Sequence, residues 1–322
     1  MKAWLKGSAM GAGLALAATA AFAAGSDWQV SGHDLGSQRY SPLTQINKSN
    51  VDKLQIAWTY HLTPEGYNGR PRLAEAIPIV VGNHMYISSP YGEVIALNAT
   101  TGAQEWKYKL PDTDNPAERG VAYWKGDKNA PATIVFGSRM GRLYALNAKT
   151  GAVIDGFGEH GIVNLKTPEV MGTSPSYPYG QPAVPMIYKN LIITGAGTPD
   201  AAPNVGALGD TRAWDAKTGK LVWTFHTVPL PGTFGFDTWG GDSARHRAGV
   251  NVWGYSPSTR SAAFSTCRWE RPTMIASAWT GPATISSVRP LWRWTPIPEN
   301  IFGISRSPIT ISGTMTPRIR RC

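Results

Sequence analysis

ALNATTGAQEW at residues 96–106 is echoed by ALNAKTGAVID at 145–155 and by AWDAKTGKLVW at 213–223. The shared core is Ala-x-Asn/Asp-Ala-x-Thr-Gly, and in the first and third copies a Trp stands four residues after the Gly. Asn98, Asn147 and Asp215 suit the cap of a tight turn, because a short polar side chain can accept the backbone N–H groups just ahead of it. Gly102, Gly151 and Gly219 suit the left-handed position that closes such a turn. Trp106 and Trp223 then begin an outer strand, where an indole can wedge between neighbouring sheets, and Trp58 in LQIAWTY fits the same role. Ahead of the turns run IPIVVGNHMYISSPYGEVIAL, ATIVFGSRMGRLYAL and AVPMIYKNLIITGAG, in which short β-type runs alternate with Gly and Asn turns. A repeat spaced by about 50 to 70 residues is the mark of solenoids and propellers. The reading is an all-β protein, a propeller of four-stranded blades, with about four blades' worth of chain in residues 25–256.

Composition agrees. Of 322 residues, 42% are hydrophobic, enough for a core, and only 16% are charged, while Gly (35), Pro (25) and Trp (13) are abundant, as in a turn-rich β protein. The formal charge of +10 would suggest an acidic partner. Its distribution argues otherwise, because residues 257–322 alone carry nine Arg, no Lys, no Asp and only Glu270 and Glu299. The body is nearly neutral, so a nucleic-acid partner is not expected. Residues 1–24 read as an export signal: Lys2 and Lys6, an Ala/Leu/Gly-rich run, and the small-x-small site Ala21-Phe22-Ala23. The expected product is periplasmic, with no transmembrane segment after cleavage. Cys267 and Cys322, both in the basic tail, offer no disulfide framework.

After GVNVWGY (249–255) the pattern stops. A basic interaction tail is one explanation and a shifted reading frame is another. The second can be tested on the residues, since Met and Trp have single codons ending in G. Met274-Ile275, Trp279-Thr280, Trp294-Thr295 and Met315-Thr316 must each read Asp in the neighbouring frame, and Trp269-Glu270 must read Gly. With permitted codons elsewhere, residues 292–303 become ALDADTGKYLW, the chain's own repeat. Residues 257–322 are therefore expected to be an aberrant, frameshifted tail rather than a domain.

DWQVSGHDLGSQRYSPLTQINKSNVDKLQIAWTY at the start of the body, Pro-Ala-Glu-Arg-Gly-Val-Ala-Tyr-Trp (116–124), GDTRAWDAKTGKLVWTFHTVP (209–229) and GVNVWGY resemble the pyrroloquinoline quinone (PQQ) dependent dehydrogenases, most of all the glucose dehydrogenase-like branch. The resemblance covers residues 27–255. It implies an eight-bladed propeller with PQQ and Ca²⁺ at its centre, and oxidation of a sugar or alcohol with electrons passed to a quinone or cytochrome. PQQ is a flat ortho-quinone with three carboxylates, so it calls for cationic edge contacts, an aromatic floor and a metal beside the reactive carbonyl. By position in the family motifs, Arg119 and Glu75 (in AEAIP) are expected to contact the cofactor and Trp253 to lie against its ring. Thr173 and Ser174 are expected to contribute hydroxyls, and Gly195-Ala196-Gly197 a close backbone approach. Asp200 is the candidate calcium ligand. A surface ion pair with Glu118 is the plainer role for Arg119. The family's general base sits in an HD-x-W-D motif, but residues 310–315 read TISGTM, so no catalytic residue is assigned and the chain as written is expected to be inactive. A non-catalytic propeller scaffold of the cell envelope shares the repeat, but not the motif around Arg119 nor the one around Trp253.

Overall fold

The structure, a computed structural model, describes residues 27–34, 37–172, 176–198, 205–239, 248 and 250–252. They form three four-stranded antiparallel sheets, each a sequential meander. The first contains β1 (Ile79–Val81), β2 (His84–Ser89), β3 (Glu93–Asn98) and β4 (Gln104–Lys109). The second contains β5 (Ala122–Trp124), β6 (Thr133–Gly137), β7 (Arg142–Asn147) and β8 (Ile162–Asn164), and a short helix α1 (Pro168–Met171) follows it. The third contains β9 (Met186–Tyr188), β10 (Leu191–Thr194), β11 (Thr211–Asp215) and β12 (Leu221–Phe225). These are successive propeller blades.

The repeated motif forms the turn from third to fourth strand, as its residues predict. The Asn98 carboxamide oxygen accepts from the backbone N–H groups of Thr100 and Thr101, Asn147 does the same for Lys149 and Thr150, and Asp215 for Lys217 and Thr218. Gly102, Gly151 and Gly219 hold φ of 72°, 72° and 67°. Each turn is also a seat for the preceding blade. A Cβ added to Gly151 would stand 2.7 Å from Cδ2 of Trp106, whose Nε1 donates to the Ala148 carbonyl at 2.9 Å. Trp58 repeats this one blade earlier, against Gly102 and donating to the Ala99 carbonyl at 3.2 Å. The third seat is filled without a Trp: Val163 and Phe157 close on Gly219, and Gly158 N–H donates to the Thr218 carbonyl at 2.9 Å.

Among the described residues, the chain expected to form about four blades gives three complete sheets and one further outer-strand position, the segment around Trp58. Among the described residues that segment pairs with no strand, and Leu54 and Ile56 within it are exposed.

Blade-on-blade packing explains why the middle sheet is apolar on both faces. Ile134, Phe136, Tyr144 and Leu146 point into a core shared with Ile79, Tyr86, Val94 and Trp106 of the first blade. The alternate residues Val135, Leu143 and Ala145 point into a core shared with Ile192 and Trp214 of the third. Period-two alternation along β6 and β7 thus serves two cores at once, so every residue of β6 is buried. Of the described chain, no helix is long and apolar enough to cross a membrane. Residues 1–24, expected to be an export signal, all of residues 257–322, expected to be an aberrant tail, and Thr173, Ser174, Asp200 and Trp253 lie outside the described residues.

Candidate functional site

Because the strands alternate in direction, the motif turns lie at one end of the blades. The loops from second to third strand, and the connections from one blade to the next, lie at the other. A cleft of about 310 Å³ opens at that second end, between the first two blades. Its walls come from residues 72–75, from the β2–β3 turn, from 115–118 on the way to β5, and from Arg139 in the β6–β7 turn. This volume falls in the range of small-molecule sites, roughly 300–1,000 Å³.

The lining mixes charged and hydrogen-bonding groups (Arg72, Glu75, Ser88, Ser89, Asn115, Glu118, Arg139) with apolar surface from Leu73, Ala74, Pro90, Pro116 and Ala117. Glu75 stands on the wall, and its Oε2 meets Nη2 of Arg119 at 3.3 Å, with the carboxylate 47% and the guanidinium 16% exposed. The two segments are tied by their backbones as well, Ile77 N–H donating to the Arg119 carbonyl at 3.3 Å. Gly120 makes this approach possible: its φ is 121°, and a Cβ there would stand 3.0 Å from the Ile77 carbonyl oxygen. The alternative pairing of Arg119 with Glu118 is not the one formed, because Glu118 pairs with Arg139 across the cleft.

Buried Asp114 holds the 115–118 wall in place. Its carboxylate accepts from the backbone N–H groups of Asn115 (2.8 Å) and Met140 (3.1 Å) and from the Tyr144 hydroxyl (3.2 Å), stapling the blade connection to the β6–β7 turn. Burial pushes the Tyr144 phenol well above its usual range, so it remains a donor here. Ser88 Oγ donates to the Ala117 carbonyl at 2.9 Å and fixes the same wall from the first blade.

Of the predicted site residues, the structure thus pairs Glu75, which lines the cleft, with Arg119, which is not itself part of the lining. Gly195, Ala196 and Gly197 follow β10 at the same end of the third blade. Their small size is used by protein backbone: a Cβ on Gly195 would fall 1.9 Å from the Val252 carbonyl oxygen, and Ala196 N–H donates to that oxygen at 3.1 Å. Asn251 Nδ2 donates back to the Ala196 carbonyl at 3.0 Å, and Gly197 and Gly180 exchange N–H···O bonds of 2.7 and 3.1 Å. The tripeptide therefore anchors the segment 251–252 that immediately precedes Trp253. No group of three or more His, Cys, Asp or Glu that could hold a metal occurs among the described residues.

Three features escaped the sequence reading. Arg72 and Arg139 line the cleft, although NGRPRLAE shows Arg72 only three residues before Glu75. Arg212 is 1% exposed, donates to the Leu165 carbonyl at 3.0 Å and to the Tyr179 hydroxyl, and lies 5.0 Å from the Trp214 ring centroid. His226 joins buried Asp210 at 2.9 Å, with Glu169 at 3.9 Å on its other nitrogen, and the Asp210 bond raises its pKa above the usual imidazole value. Arg212 and His226 both stand in the stretch 209–229, but nothing local in it shows their partners. Each is defined by a partner from a distant part of the chain.

Successive four-stranded blades locked by Trp-on-Gly seats, with a polar cleft at the loop end, define a propeller of the quinoprotein kind. The comparisons place it. Residues 28–259 match the family described as "PQQ: Glucose/ethanol/alcohol dehydrogenase, beta-propeller domain", and the chain belongs to that family, whose cofactor is PQQ. It is 36% identical over 213 residues to the dehydrogenase subunit of a quinone-dependent alcohol dehydrogenase of Gluconobacter oxydans, covering 64% of this chain and 25% of that protein. It is 33% identical over 219 residues to the quinoprotein glucose dehydrogenase of the same organism, covering 62% and 27%. The solved quinohemoprotein alcohol dehydrogenase ADHIIG of Pseudomonas putida HK5 superposes with a TM-score of 0.60 at 30% identity, over 75% of this chain and 34% of that one. The quinohemoprotein alcohol dehydrogenase of Comamonas testosteroni gives 0.59 at 27% identity, over 74% and 34%. The chain therefore spans about a quarter of the length of the curated relatives it matches.

Proposed function

We propose that these blades form the first part of a periplasmic PQQ-dependent dehydrogenase that oxidises sugars or alcohols, with the glucose type favoured. The observation that carries the reading is the ion pair between Glu75, on the wall of the cleft, and Arg119 beside it. The donor set there fits the cofactor: guanidinium forks match carboxylate or quinone oxygens, and Asn115, Ser88 and Ser89 add neutral polar contacts. Arg119 would hold an edge of the ring system, and Glu75 keeps that guanidinium aimed. The indole of Trp253, next to the segment anchored by Gly195-Ala196-Gly197, would cover a face of the ring. Thr173 and Ser174 would add hydroxyl contacts, and Asp200 a ligand to Ca²⁺. Bound PQQ supplies a quinone carbonyl that takes two electrons and a proton from an alcohol carbon. Electrons would then pass to a quinone or cytochrome, and export would follow from residues 1–24.

The test is calorimetric titration of PQQ into the chain and into Arg119→Ala. Saturable binding that weakens at least tenfold in the variant supports the reading. Absence of binding, or equal binding by the variant, overturns it.

A further inference from the structure

The charges of the cleft do not balance pairwise. Glu75 is matched by Arg119, which lies off the lining, and Glu118 by Arg139 on it. Arg72, the remaining cation on the lining, meets only neutral acceptors: its Nη1 donates to the Pro90 carbonyl at 3.0 Å and to Asn115 Oδ1 at 3.4 Å. A guanidinium carries five N–H donors, and those on Nε and Nη2 have no acceptor among the described residues. The group is also held in place. Its carbon lies 5.6 Å from the Tyr91 ring centroid, and its own backbone N–H donates to the Tyr91 hydroxyl at 3.4 Å. Tyr91 is in turn braced edge-on by Tyr67, with centroids 4.9 Å apart. A preplaced cation without a counter-charge, on the wall of a cleft otherwise neutral in its pairs, is suited to take an anion.

We propose that Arg72 anchors a carboxylate of the quinone cofactor at the outer wall of the cleft, a role separate from that of the Glu75–Arg119 pair. This rests on the reading of the cleft as the PQQ site. The tricarboxylate would bring negative charge that Glu75 and Glu118 cannot welcome, and Arg72 is the lining cation left to offset it. The competing role for Arg72 is purely mechanical, as a clamp fastening residues 62–75 to the β2–β3 turn. The two roles differ in their electrostatics: a clamp bonded to neutral acceptors contributes nothing to the salt dependence of ligand binding, whereas a charge facing an anion does.

The experiment is titration of PQQ into the chain, Arg72→Gln and Arg72→Lys at low and at physiological ionic strength. For Arg72→Gln the expected result is a Kd raised roughly 10- to 100-fold, with a shallower salt dependence than wild type. Arg72→Lys should restore the salt dependence and only part of the affinity, because the ammonium lacks the fork. Unchanged affinity in Arg72→Gln overturns the proposal while leaving the PQQ reading intact. Weakened affinity with an unchanged salt dependence overturns it in favour of the clamp. Failure of the wild-type chain to bind PQQ overturns the reading of the cleft and this proposal with it.

Discussion

Replacing Gly151 by Ala should destabilise the protein far more than the same change at Gly82, although both residues hold a left-handed backbone. Gly82 has φ of 57° and open space where a Cβ would go. Only the conformational penalty applies there, roughly 1–2 kcal/mol. Gly151 has φ of 72°, and its added Cβ would stand 2.7 Å from Cδ2 and from Cε3 of Trp106. That ring cannot swing aside, since it is buried between two blades and tied by its Nε1 to Ala148. Overpacking of this kind adds roughly 1–3 kcal/mol. Gly151→Ala should therefore exceed Gly82→Ala by about 1–3 kcal/mol, a difference of ~0.5–1.5 M in urea midpoint at an m-value of about 2 kcal/mol/M. Urea unfolding followed by circular dichroism reads it directly. The costs of Gly151→Ala and Trp106→Val should also fail to add, because the second change vacates the space the first one invades. Equal midpoint shifts at positions 82 and 151 would refute the claim that blade-to-blade seating, rather than turn geometry alone, requires this glycine.

Other outcomes follow from the same structure. Because Asp210 raises the His226 pKa in the folded state, the stabilisation it supplies is fully present below about pH 6.5 and is lost as pH rises through the higher folded value. His226→Gln should thus be most destabilising near pH 6 and approach wild type toward pH 8, and a gap independent of pH would count against the pairing. N-terminal sequencing of exported protein should find the chain starting just after Ala23 or Ala24, and a start at Met1 would exclude cleavage. Dye-reduction assays with glucose and simple alcohols should show no turnover for a polypeptide of these 322 residues even with PQQ and Ca²⁺ added. Activity there would show that a base other than the HD-x-W-D aspartate suffices.

The turn motif was legible in the sequence because its physics is local. Asn98 or Asn147 caps N–H groups two and three residues on, and the Gly four residues on closes the turn, so a short window holds the whole cause. The all-β architecture followed from three copies of that window. What sequence reading could not supply was pairing across distance. Arg119 has an acidic neighbour at 118, yet its partner is Glu75, because the backbone bond from Ile77 and the turn at Gly120 bring that strand alongside. The third seat was hidden for a different reason. Residues 155–161 interrupt the outer strand of the second blade, and Phe157 with Val163 does there what a Trp at the usual spacing does in the first. Gly195-Ala196-Gly197 was legible as a close approach, but the group approaching is the Val252 carbonyl.

The most direct test of the cofactor assignment is structure determination of the chain after soaking with PQQ. Planar density in the cleft between the first two blades, with carboxylates against Arg119 and Arg72 and Glu75 within hydrogen-bonding reach, is the predicted result. A cleft holding only solvent, or PQQ bound elsewhere on the blades, would contradict it.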